Sequence, residues 1–156
     1  MEEFELEDIF STGYDAVISA YNPGWSNPDI YNDFILGYKS ILNALNGAGS
    51  KRVIIIGGAG SLIMNGARLV DSNDFPKSIY SGAKAASDLL DMLYEKENTL
   101  DWTMVSPAIN LIDGKRTNNF KLGKDSPVFN SENESVISVQ DLAAAVINKK
   151  KKPEHI

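Results

Sequence analysis

The stretch Arg52-Val-Ile-Ile-Ile-Gly57 decides how this 156-residue chain is read. Four consecutive β-branched residues without polar alternation indicate a strand covered on both faces, as in a parallel sheet. Upstream, Asp15-Ala-Val-Ile-Ser-Ala20 is a short apolar run bounded by Gly13 and by Asn22-Pro23-Gly24, which suits a second buried strand. Between the two, Asn27 can cap and Pro28 can open a helix. Its apolar positions Phe34, Tyr38, Ile41, Leu42 and Leu45 share one face, and Gly47 and Gly49 end it. Downstream come a loop rich in Gly, Asn and Asp, a long helix from Pro76 to Glu97, and a third strand, Asp101-Trp-Thr-Met-Val105, stopped by Pro107. Strand, helix, strand, helix, strand in this order implies parallel pairing with right-handed crossovers. The expectation is an α/β chain, a Rossmann-like three-layer fold with a parallel sheet, and one domain over residues 1–156.

The flanks are looser. Phe4 to Phe10 is a short amphipathic stretch. Asn119-Phe-Lys-Leu122 and Pro127-Val-Phe129 are candidate short strands. Val136-Ile-Ser-Val139 leads into a last helix, Gln140 to Asn148, capped by Ser138 with Asp141 at its third position.

Composition excludes several function classes. A net charge of −6 gives no general attraction to nucleic acid or anionic lipid. The Lys149 to Lys152 run reads as a solvated helix end. The absence of Cys removes disulfides, thiolate catalysis and thiolate metal sites, and the lone His155 leaves no basis for a His triad or a metal cluster. The acidic start is unlike a signal peptide, no run reaches membrane-spanning length, and a cytoplasmic location is the default expectation.

Two motifs carry chemistry. Gly57-Gly-Ala-Gly60 after the central strand looks like a dinucleotide turn, but the third glycine position falls on Ile63 and a long loop follows where a helix should start. Tyr80-Ser-Gly-Ala-Lys84 would place a phenol and an ammonium one helical turn apart, and the ammonium would favour the phenolate. That spacing alone is weak. Position strengthens it, because Asn22, Ser61, Tyr80 and Pro107 all fall at the carboxyl edge of the expected sheet, where ligands of such folds bind.

Together with those positions, Tyr14-Asp-Ala-Val-Ile-Ser-Ala-Tyr-Asn-Pro-Gly24, Lys51-Arg-Val-Ile-Ile-Ile-Gly-Gly-Ala-Gly-Ser-Leu62, Leu100-Asp-Trp-Thr-Met-Val-Ser-Pro-Ala108 and Ile137-Ser-Val-Gln-Asp-Leu-Ala143 make a longer pattern. It resembles the atypical short-chain dehydrogenases/reductases, in the NAD(P)H-binding group with NmrA-like proteins and biliverdin-reductase-B-like flavin reductases. The resemblance implies that Ala20, Tyr21 and Asn22 sit beside the cofactor's adenosine and ribose. It places Gly58, Ala59 and Ser61 near the nicotinamide ribose and substrate, and Pro107 and Ala108 on the carboxamide. Tyr80 and Lys84 match the group's Tyr-x-x-x-Lys. Such proteins open with a strand and a three-glycine turn that have no counterpart here, so the chain reads as N-terminally truncated relative to the family, and as ending early.

The function implied is NAD(P)H-dependent reduction of a small flavin- or quinone-like substrate, with Ser61, Tyr80 and Lys84 as catalytic candidates. Weak or absent NAD(P)H binding is expected of this chain alone. The rivals are a non-catalytic remnant, an NmrA-like binding or regulatory module, and an assembly protein. With the family's first strand missing, Ala16 to Ala20 would form an open edge, so a homo-oligomer or a partner chain covering it is expected.

Overall fold

A computed structural model describes residues 3–49, 52–97 and 99–150 of the chain. Its sheet has three parallel strands, β1 (Val17–Ser19), β2 (Arg52–Ile56) and β5 (Asp101–Val105), in the order β1-β2-β5. In register, Val17 lies beside Val53, and Val53 beside Trp102. The central strand is the one with four β-branched residues, and Val53, Ile54 and Ile55 are fully buried. Each contributes about 1.5–3 kcal/mol of transfer free energy.

Alternation sorts the strands' side chains between two layers. Val53, Ile55 and Met104 face the helices α2 (Ile30–Gly47) and α3 (Tyr80–Lys96), where Phe34, Tyr38, Leu42, Leu45, Leu89 and Leu93 complete the main core. Ile54 faces the other way and packs on Leu142 and Val146 of α4 (Val139–Lys150). The result is the expected three-layer Rossmann-like α/β fold. On the α4 side Arg52 ties β2 to β5, donating to Asp101 Oδ1 at 3.1 Å and to Thr103 Oγ1 at 2.9 Å. α1 (Glu3–Phe10) packs against α2, and the Glu7 carboxylate lies on Gly47.

Three features differ from expectation. The first strand is only three residues long, because the chain leaves the sheet at Ala20. The region after β2 holds a 3-10 turn, Ala59–Ser61, and a hairpin of β3 (Ile63–Met64) and β4 (Ala67–Arg68) around Asn65 and Gly66. Residues 119–122 and 127–129 form no strand. Asn110–Ile112 is a strand instead (β6), paired in parallel with β7 (Val136–Ser138). The segment from 113 to 134 is therefore a long excursion between two paired strands. It docks through Asp125, whose carbonyl accepts from the Ile63 amide at 2.6 Å.

The end of this excursion's first turn is pinned by Asp141. As expected, Ser138 caps α4, its Oγ accepting from the Asp141 amide at 3.0 Å. The Asp141 carboxylate, in turn, accepts from the Thr117 hydroxyl at 2.6 Å and from the Thr117 and Asn118 amides, both at 2.8 Å. Those bonds, the Thr117 hydroxyl first, hold its carboxyl below the usual carboxylate range. A depressed native value means stability that is present above the unfolded-state value and lost as pH falls through the native one. Asp141→Ala should lower Tm at neutral pH, and calorimetry should show the gap from the parent closing below about pH 4. An equal gap at every pH would mean that the carboxylate's charge contributes nothing.

Candidate active site

Parallel strands bring their carboxyl ends to one edge, and each end here delivers different atoms. From β2 the chain runs through Gly57 and Gly58 into the 3-10 turn, where Ser61 is buried. From β5 it passes Ser106, Pro107 and Ala108. The Gly57 amide donates to the Val105 carbonyl at 3.0 Å, so the two ends stay joined beyond the strands. Ser61 Oγ donates to the Gly58 carbonyl at 2.9 Å and shares a hydrogen bond of 2.9 Å with Ser106 Oγ. Ser106 was not singled out from the sequence. Its only sequence signal is a small polar residue before proline at a strand end.

A cavity of about 670 Å³ opens beside this pair, running along β5 and under the 113–134 excursion. Ser61, Ser106, Pro107 and Ala108 line it, with Phe120 and Phe129 supplying aromatic wall. Ser61, Pro107 and Ala108 are thus brought together. Gly58 and Ala59 form the turn that carries Ser61, but lie outside the lining.

The other candidates sit elsewhere on the same edge. Ala20 is exposed, and Tyr21 is part of the core wall. Its ring meets Tyr38 edge-on at 5.7 Å, lies against Gly37, and its hydroxyl donates to the Asp33 carbonyl at 3.2 Å. The Asn22 side chain accepts from the Gly24 amide at 2.7 Å and shapes the loop. Tyr80 opens α3, 42% exposed and edge-on to Phe75, and does not line the cavity. Lys84, one turn on, is paired with Asp88, and that hydrogen bond foremost keeps its ammonium above the ordinary lysine range. Asp88 is a second residue that sequence reading passed over, since a charge pair at i, i+4 reads as solvated helix surface.

The glycine turn does not make a phosphate cradle. The Ser61 and Leu62 amides are bonded to the Gly58 and Ala59 carbonyls, and no helix begins at the turn. Gly60 serves packing. A Cβ there would stand 3.2 Å from Val70 Cβ and 3.3 Å from Ala83 Cβ, with neither neighbour on a long flexible stem. At the strand ends stand hydroxyls and small side chains, Ser61, Ser106, Pro107 and Ala108. Among the described residues no strand runs through a glycine turn straight into a helix, the arrangement that binds pyrophosphate.

The sequence pattern of the NAD(P)H-binding family matches residues 4–151. The chain belongs to that family. YwnB of Bacillus subtilis, itself uncharacterised, is 32% identical over 157 residues, covering 98% of this chain and 71% of YwnB. Among crystal structures, a candidate epimerase from Bacteroides thetaiotaomicron is 39% identical with a TM-score of 0.88, over 99% of this chain and 68% of that one. A candidate NADH-flavin reductase from Streptococcus pneumoniae is 36% identical with a TM-score of 0.80, over 100% of this chain and 74% of that one. This member of the NAD(P)H-binding family thus shares its fold with proteins described for two different chemistries.

Substitution at two glycines separates packing from space in the turn. Gly60→Ala should cost about 1–3 kcal/mol, as overpacking does. Gly58→Ala meets only Ala86 Cβ, at an ordinary 3.6 Å. Its stability should stay within about 0.5 kcal/mol of the parent. Urea titration of both variants checks this, and equal costs would show that the turn is not held by its contact with Val70 and Ala83.

Proposed function

We propose that this chain is the catalytic core of an NAD(P)H-dependent oxidoreductase acting on a flavin- or quinone-like acceptor. The observation that carries the reading is the Ser61–Ser106 hydroxyl pair, set where β2 and β5 end and open to a cavity with aromatic walls. Family membership and the likeness to a candidate NADH-flavin reductase support it. NAD(P)H, when bound, supplies the hydride. Gly58, Ala59, Pro107 and Ala108 hold the nicotinamide end, and Ala20, Tyr21 and Asn22 border the ribose. Ser61 turns its hydrogen from the Gly58 carbonyl to an acceptor oxygen. Tyr80 delivers the proton that accompanies the hydride, and Lys84 holds ribose and keeps a positive charge beside the phenol.

Two observations favour a second reading, a non-catalytic NmrA-like binding module. Tyr80 stands outside the cavity, and the amides of the glycine turn are already bonded. Both readings give weak dinucleotide affinity for these 156 residues, about millimolar, because pyrophosphate finds no helix N-terminus at the turn. A micromolar Kd by titration calorimetry would sink that expectation. Kinetics separates the two readings. If reduction of a flavin or quinone by NAD(P)H is detected, Tyr80→Phe should slow it by more than tenfold, since general acid catalysis contributes a factor of about 10²–10⁴. Ser61→Ala should lower kcat with it. Turnover unchanged in both variants would show that neither side chain carries the chemistry, and no detectable turnover would favour the binding module.

The reading includes association. Among the described residues β1 is paired only with β2, and Ile18 is 45% exposed on the sheet face where α4 covers Ile54. Neither charge nor proline interrupts Val17–Ser19. Such an edge templates another strand. A second copy or a partner chain covers it, so light scattering should find a dimer or larger species. A clean monomer at micromolar concentration would overturn this.

A further inference from the structure

Lys84 and Asp88 are more than a helix-surface pair. The Asp88 carboxylate uses both oxygens: Oδ1 takes the Lys84 ammonium, and Oδ2 accepts from the Tyr31 hydroxyl at 2.8 Å. Neither side chain is freely solvated, Lys84 being 33% and Asp88 25% exposed. Tyr31 belongs to the first turn of α2, whereas Lys84 and Asp88 belong to α3, so the carboxylate bridges two helices. The bridge reaches the loop that holds Ala20, Tyr21 and Asn22. That loop is fastened to the same turn of α2, since Asn27 donates to Asp33 Oδ2 at 2.7 Å and Tyr21 donates to the Asp33 carbonyl.

The neighbouring ion pair shows the contrast. Arg68 grips Asp91 with two hydrogen bonds, of 2.7 and 2.5 Å, and also bonds Ser87 Oγ. That cluster anchors the hairpin to α3, and its partners are all structural. Asp88 instead joins a candidate site residue to the helix behind the other candidate loop. A lysine stem has four rotatable bonds and loses much rotamer freedom when fixed. A carboxylate already fixed by Tyr31 settles that cost before any ligand arrives. Asp71 and Tyr80 add weaker fields at the ammonium.

We propose that Asp88, held by Tyr31, is the positioning residue that sets the Lys84 ammonium one turn from Tyr80 for the ribose of NAD(P)H. The inference rests on the proposed role of Tyr80 and Lys84. The test uses chain labelled at lysine Cε, with NMR titration and NADPH titration of the parent, Lys84→Met, Asp88→Asn, Asp88→Glu, Tyr31→Phe and the Lys84→Met/Asp88→Asn double variant. Asp88→Asn should move the Lys84 midpoint down, and Asp88→Glu should restore most of it. Millimolar NADPH should shift the Lys84 resonance in the parent. Its apparent Kd should rise at least about fivefold in Lys84→Met and in Asp88→Asn, with no further rise in the double variant. Tyr31→Phe, which keeps the ring, should give a smaller rise in the same direction. If Lys84→Met weakens binding and Asp88→Asn does not, or if the Asp88→Asn penalty persists without Lys84, Asp88 merely joins helices and the proposal fails. If Lys84→Met binds as the parent does, or NADPH leaves the Lys84 resonance unmoved, Lys84 is outside the site and the catalytic reading falls first.

Discussion

Everything in this fold follows from a strand with no solvent face. Val53, Ile54 and Ile55 are buried from both sides, so β2 cannot lie at an edge and its backbone groups must find partners left and right. Those partners run parallel, and parallel neighbours demand helical crossovers. Crossovers return the chain to the same end of the sheet each time. That is why Asn22, Ser61 and Ser106, far apart in sequence, arrive along one edge. Any change that exposed one face of β2 would remove the reason for the helix on that side, and with it the convergence.

How much could be read from sequence depended on whether the signal was local. The strands β2 and β5 and the buried faces of α2 and α3 were legible, because each repeats its apolar pattern over several turns or several residues. The pair β6 and β7 was only half legible. Asn110–Ile112 is wholly exposed, and nothing but its distant partner makes it a strand. The apolar residues at 120, 122 and 129 resemble short strands in sequence, whereas they belong to the excursion that walls the cavity. In the site, Ser61 was legible from its place after the central strand. Ser106 was not, since its importance comes from the register that sets the Gly57 amide against the Val105 carbonyl. Asp88 was hidden for a similar reason, as Tyr31 is 57 residues away.

The glycines after β2 show how one pattern serves two different ends. In a dinucleotide turn the glycines let backbone amides meet a phosphate and let a helix start there. Here the amides close a 3-10 turn on themselves, and the buried Gly60 lets that turn sit on Val70 and Ala83. The consequence is positional. Because the turn is tight and rests on α3, Ser61 is pressed inward against Ser106 instead of facing solvent.

The same helix explains why the polar candidates lie where they do. Gly82, Ala83, Ala85 and Ala86 are all buried, giving α3 a face of small side chains. At Gly82 a Cβ would stand 2.7 Å from the Trp25 ring and 2.9 Å from Ile30, so the loop after β1 also closes onto this face. With the turn and the loop packed on these small residues, a more exposed strip along the first turns of α3 carries longer polar side chains. Tyr80, Lys84 and Asp88 occupy that strip at successive turns. The Lys84 ammonium, a third exposed, takes its position from the carboxylate it is bonded to, one turn further along the helix. The Asp88 carboxylate, bonded from α2 by Tyr31, thus sits on that strip beside the Lys84 ammonium.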